Sequence, residues 1–107
     1  MALSIMIVDN DQVNSFVLKN IITRNYSEAE IALYPDGADA LEELQSLNTA
    51  GDAFPDVILL DIYMPIVSGF EFLERYVKDY AHKASNIFVM SNSLSKEDQQ
   101  RANMYSV

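Results

Sequence analysis

The stretch Asp56-Val57-Ile58-Leu59-Leu60-Asp61-Ile62-Tyr63-Met64-Pro65 constrains the fold of this chain more than any other. Its four consecutive apolar residues show no polar alternation. Such a run makes a good strand when helices cover both faces of its sheet, the usual condition of a parallel sheet. The run ends on a carboxylate, Asp61, and a Pro-bearing loop and Gly69 follow. A strand of this kind brings its last side chain to the carboxyl edge of the sheet, where open α/β folds place their ligands. The opening run Ile5-Met6-Ile7-Val8-Asp9-Asn10-Asp11 repeats the design, apolar residues and then acids. Two such strands side by side would gather carboxylates at one point, which suits a hard cation and a phosphoryl group.

The rest of the chain alternates in the same way. The pattern predicts strands over 3–8, 30–34, 57–60 and 87–90. Between them it predicts helices over 12–25, from Ala38 onward, and over 69–80, with a last helix opening at Ser95. On the first helix Val13, Phe16, Val17, Asn20 and Ile21 share one face and are expected inward, with Leu18 and Ile22 off that face. On the second, Ala38, Leu41 and Leu44 are expected inward, with Glu42 and Glu43 outward. On the third, the inward set is Phe70, Leu73, Val77 and Tyr80. Asp36 is placed to cap the second helix, and Ser68 with Glu71 reads as a capping box for the third. Short β-α crossovers of this kind imply an α/β fold with a right-handed, doubly wound parallel sheet.

The chain has 107 residues and a formal net charge of −9. That length reads as one domain over 1–107. The negative charge argues against nucleic acid as a direct partner and against anionic membrane surfaces. Most of the sixteen Asp and Glu residues are expected to form a solvated surface. There is no Cys, so thiolate metal sites and disulfides are excluded, and a reducing cytoplasm is compatible. The N-terminus has neither a basic region nor an apolar run long enough for a signal peptide or a membrane span.

Several of these features together resemble the receiver domain of bacterial two-component response regulators. The residues that carry the resemblance are Val8-Asp9-Asn10-Asp11, Leu60-Asp61-Ile62-Tyr63-Met64-Pro65 with Gly69, Asp36-Gly37 with Ala40-Leu41, and Met90-Ser91. The resemblance implies a flavodoxin-like receiver fold with Asp61 as phospho-acceptor. It implies Mg²⁺ held by Asp9, Asn10, Asp61 and the backbone carbonyl of Tyr63, and a Ser91 hydroxyl that follows the phosphoryl oxygens. It also implies a histidine kinase or phosphotransfer protein as donor, a protein target, and cytoplasmic signalling by a switch that modifies itself rather than an enzyme that turns over a metabolite. Asp11 reads as a helix cap and Asp9 as the acid facing the cation. Ser91 fits a strand-end hydroxyl equally well. The Tyr63 ring could shield an acyl phosphate from water or simply pack in its loop. The lone His82 reads as a solvated helix-end residue.

Two departures from the family pattern stand out. Asn10 occupies a position where a second acid is usual, which predicts weaker Mg²⁺ binding. The chain also stops at Val107, before the fifth strand, its Lys and the fifth helix, which would leave a sheet edge open and favour a homodimer. These departures motivate a second reading, a receiver-like interaction module that is not phosphorylated. A third reading is a haloacid-dehalogenase-type phosphohydrolase. It takes Asp9-Asn10-Asp11-Gln12-Val13 as an Asp-x-Asp-x-Val motif, with Asp9 as nucleophile and Asp11 as acid/base.

Overall fold

In the computed structural model the described residues are 3–61, 64, 67–80 and 85–90. Tyr63, His82, Ser91, the helix expected from Ser95 and the region expected to lack a fifth strand lie outside them. Seven elements follow one another. These are β1 (Ser4–Val8), α1 (Gln12–Asn25), β2 (Glu30–Tyr34), α2 (Gly37–Ala50), β3 (Val57–Asp61), α3 (Gly69–Tyr80) and β4 (Asn86–Met90). The strands form one parallel sheet in the order β2-β1-β3-β4, as the alternating pattern requires. The order reverses between β1 and β3, so the crevice at their carboxyl ends is the topological switch point of the sheet.

The core lies on one side of the sheet. Met6, Val8, Ile58, Leu60 and Ile87 pack there against Ala40 and Leu44 of α2 and Phe70, Phe72, Leu73, Tyr76 and Tyr80 of α3. Edge-to-face contacts join Phe54 to Tyr80 and Tyr76 to Tyr80, and Phe72 stacks on Tyr76. The other side carries Ile5 and Ile7, both buried, and the more open Leu33, Leu59 and Phe88. The apolar run of β3 is therefore covered unevenly, with Ile58 and Leu60 fully buried and Val57 and Leu59 half-buried.

Three helix faces differ from the expectation. On α1 the sheltered residues are Ser15, Leu18 and Ile22, while Val13, Phe16, Val17 and Ile21 are exposed. At the start of the helix Asp11 and Asn14 both donate to Asp9, bonds consistent with this rotation of the first turn. Residues 15, 18 and 22 then share one side, three and seven residues apart. On α2 Gly37, Ala40 and Leu44 are buried and Leu41 is half-buried against the core, while Ala38 is exposed and Glu43 is half-buried rather than outward. On α3 the sequence Phe70, Phe72, Leu73, Tyr76 and Tyr80 is buried, and Val77 is 42% exposed. Aromatic rings in α3 fill the space against the sheet, which turns Val77 outward.

The caps follow the sequence closely. Asp11 accepts a hydrogen bond from the Asn14 N–H, and Asp36 accepts one from the Asp39 N–H at 2.8 Å. The Ser68 hydroxyl accepts from the Glu71 N–H at 3.2 Å. Gly51 closes α2 in the left-handed conformation, φ 73°, which glycine adopts without steric penalty. Among the described residues no helix is long and apolar enough to cross a membrane.

Candidate functional site

Strand register decides which carboxylates meet. In the β1–β3 ladder Val8 pairs with Leu60. Asp9 and Asp61 are the next residues along each strand, so both reach the carboxyl edge at the same level. Side chains alternate along a strand, so Asp9 lies on the side of Ile7 and Asp61 on the side of Leu59. Ile7 and Leu59 are themselves paired, so both acids emerge on the same side of the sheet, towards α1. Oxygens bound to one Mg²⁺ at about 2.1 Å stand at most about 4.2 Å apart. Neighbouring strands lie about 4.8 Å apart, a spacing that two carboxylates can bridge. On the far side of Asp61, β4 contributes Met90 as its register partner, and Ser91 follows Met90 in the chain.

Asp9 is built into the fold. It is only 4% exposed. Its N–H donates to the Tyr34 carbonyl at 3.0 Å, tying the end of β1 to the end of β2. Its Oδ1 accepts from the Asp11 N–H at 2.9 Å, and its Oδ2 accepts from Asn14 Nδ2 at 2.6 Å. An ionised carboxylate has about four lone-pair positions, so two remain for a cation. Asn10, by contrast, is exposed. Asp11 is also exposed, and its Oδ1 accepts from the Asn14 N–H at 3.1 Å as the cap of α1. The two acids after β1 thus have separate jobs, one facing the sheet edge and one holding the helix.

Among the described residues no three His, Cys, Asp or Glu side chains gather to hold a metal by themselves. The edge instead brings up the carboxylates of Asp9 and Asp61, with the exposed Asn10 next to Asp9 in the chain. Mg²⁺ takes six oxygens and keeps several waters, so a hydrated Mg²⁺ fits this donor set, with less protein charge than three acids would bring.

On the α2 side of the sheet, opposite the two acids, one phenol has a shifted titration. Burial first, and then the charge of Glu43 and the hydrogen bond to it, raise the Tyr34 pKa above its ordinary value of 10.0. A cavity of about 340 Å³ opens beside Asp9 and is lined by Gln12, Ser15, Phe16, Leu33, Tyr34 and Pro35. The sequence reading passed over Asn14. Its signal is its spacing, five residues after Asp9 and three after the capping Asp11.

A doubly wound parallel sheet with carboxylates at its switch point defines a class of open α/β proteins whose ligand crevice lies at that edge. Within it, this chain belongs to the response regulator receiver domain family, whose model matches residues 5–106. The match sets aside the phosphohydrolase reading. A protein-glutamate methylesterase/protein-glutamine glutaminase of Sulfurimonas denitrificans is 30% identical over 100 residues, which are 94% of this chain and 26% of that protein. The chain thus spans about a quarter of the length of that relative. Among solved structures, the phosphorylated cyanobacterial phytochrome response regulator RcpA aligns with a TM-score of 0.88 at 23% identity. That alignment covers 100% of this chain and 77% of that one. A two-component response regulator from Cytophaga hutchinsonii aligns with a TM-score of 0.85 at 27% identity, covering 97% and 80%.

Proposed function

We propose that the protein is a phosphorylated signalling switch of a two-component pathway, with Asp61 as the acceptor. The observation that carries the reading is the position of Asp61, one step beyond the Val8–Leu60 pair and on the same side of the sheet as Asp9. Asp9, Asn10 and Asp61 would hold Mg²⁺, and the backbone carbonyl of Tyr63 would complete the protein ligands. When bound, the cation neutralises charge on the phosphoryl oxygens.

In the transfer step an Asp61 carboxylate oxygen forms a bond to phosphorus. The P–N bond of the phosphohistidine donor breaks, its electron pair stays on the ring nitrogen, and the imidazole keeps or takes a proton from solvent. Donors are a histidine kinase or a phosphotransfer protein, and cytoplasmic signalling suits them. The product adds up to about two negative charges at the sheet edge. Ser91, next along the chain from the partner strand of β3, is the hydroxyl that would follow the new oxygens. A population shift between two packings would then present a different surface to a protein target.

The exposed amide of Asn10 favours a second reading, an interaction module that works without phosphate. Incubation with acetyl phosphate and Mg²⁺, followed by intact mass and peptide mapping, separates the two. One added phosphoryl group located on Asp61, and lost in Asp61→Asn, is the expected result. No mass gain with acetyl phosphate, or from a phosphorylated kinase domain, would favour the interaction module.

A further inference from the structure

The Asp9 carboxylate does not stand alone at the sheet edge. Its Oδ2 is held at 2.6 Å by Asn14 Nδ2, a residue in the first turn of α1. We infer that Asn14 is a positioning residue for the divalent-cation site, because its amide decides which lone pairs of Asp9 are left to face the cation. The inference rests on the Mg²⁺ reading given above.

Three observations converge on it. First, an ionised carboxylate only accepts, so the Asn14 amide must present its NH₂ to Asp9, which sets the amide orientation. Second, Asp9 is 4% exposed and its other oxygen is already bound by the Asp11 N–H at 2.9 Å. The two donors take one acceptor position on each oxygen, so the carboxylate is held against rotation and one position on each oxygen remains. Third, Asn10 brings no charge, so Asp9 supplies the only negative ligand from the β1–α1 loop among the described residues. A site with fewer charges depends more on the placement of those it has.

A purely local role explains less. The helix-cap bond to Asn14 goes through its backbone N–H to Asp11, and its side chain is not needed for that cap. Asn is also a weaker helix former than Ala. Asn14 is exposed, so it fills no core space. What its side chain contributes is the bond to Asp9. Side chains that orient metal ligands in this way commonly matter tenfold or more for metal affinity.

The test is calorimetric titration of Mg²⁺ and Ca²⁺ into the protein and its variants, with melting temperatures taken in the absence of metal. Asn14→Ala is expected to weaken Mg²⁺ binding by about tenfold. Its Ca²⁺ affinity should fall by less, because Ca²⁺ tolerates irregular geometry and Mg²⁺ does not. A loss of stability alone would lower both affinities together. Asn14→Gln keeps the amide but displaces it by one methylene, and should also weaken Mg²⁺. Asn25→Ala removes another Asn side-chain bond on the same helix, to the Ile21 carbonyl, and should leave Mg²⁺ binding unchanged. If the parent binds Mg²⁺ and both Asn14 variants bind it equally well, the positioning role is wrong while the metal site stands. An equal fall in Mg²⁺ and Ca²⁺ affinity would also overturn it. A parent that binds no Mg²⁺ removes the metal reading and this inference with it.

Discussion

Replacing Gly37 by Ala sets two effects of opposite sign against each other. Gly37 is the first residue of α2, and in a helix Ala is favoured over Gly by up to about 1 kcal/mol. That gain shrinks in the first turn, where fewer backbone bonds depend on the residue. Opposing it, a Cβ at Gly37 would lie 2.9 Å from the Val67 carbonyl oxygen, 3.0 Å from Val67 Cγ1 and 3.1 Å from Val67 Cβ. The first of these atoms is backbone and cannot swing away as a side-chain tip can. Val67 is itself 7% exposed and belongs to the core cluster, so its own side chain has little room. Overpacking of this kind costs about 1–3 kcal/mol. The close approach wins, and Gly37→Ala should destabilise the fold by roughly 1 kcal/mol, a fall in melting temperature of about 4–8 °C for a domain of this size. Thermal unfolding followed by circular dichroism would measure it. A melting temperature equal to or above that of the parent would show that helix propensity dominates and that the α2–Val67 contact is soft.

Two further perturbations probe the sheet edge and the α2 side of the sheet. Asn10→Asp should tighten Mg²⁺ binding: a pair of unit charges about 4 Å apart interacts by about 4 kcal/mol at an effective dielectric near 20, and a dication doubles the attraction to the added carboxylate. The same change adds repulsion between the carboxylates when no metal is bound, so melting temperature without metal should fall while affinity by calorimetry rises; equal affinities would defeat the reasoning. Tyr34→Phe should flatten the alkaline decline of stability. The folded chain holds the Tyr34 proton more tightly than the unfolded chain, so its stabilisation is full below about pH 10 and is lost as pH rises through the raised folded value. Denaturant titrations of both proteins from neutral pH upward would show it, and parallel curves would mean that the phenol does not contribute.

Much of the architecture was legible because it rests on local chemistry. The apolar runs of β1 and β3 could hardly be anything but buried strands, and the acids that end them lie at one edge because parallel strands share a direction. Asp11, Asp36 and Ser68 act as caps because each precedes a helical run by one position. What the sequence hid was rotation. Val13, Phe16, Val17 and Ile21 form a better apolar stripe than Ser15, Leu18 and Ile22, yet the latter are sheltered. The stripe is a property of the helix alone, whereas its rotation depends on contacts outside it, among them the bonds of its first turn to Asp9. The need for Gly37 was hidden too, since its φ is ordinary and its requirement is contact with Val67, thirty positions away. A contact at that separation leaves no mark in a single sequence. Asn14 was missed for a related reason: its spacing from Asp9 and Asp11 is compatible with the bond, but spacing alone does not say that the partner is a buried carboxylate.

These hidden contacts share a geometry. Asp61 stands between two strands. Across β1 its neighbour is Asp9, which Asn14 locks to α1. Across β4 its register partner is Met90, after which the chain passes to Ser91. Separately, Val67 lies against Gly37, the first residue of α2. A charge placed on Asp61 would therefore stand beside two connections, one through Asp9 to the start of α1 and one through the β3–β4 ladder to the end of β4. The first ends on a helix N-terminus, where the backbone dipole favours negative charge. Close-packed contacts do not yield continuously, so a local change here is better accommodated by a switch between discrete packings than by gradual strain. That is the physical sense in which a small parallel sheet with acids at its switch point can serve as a signalling element.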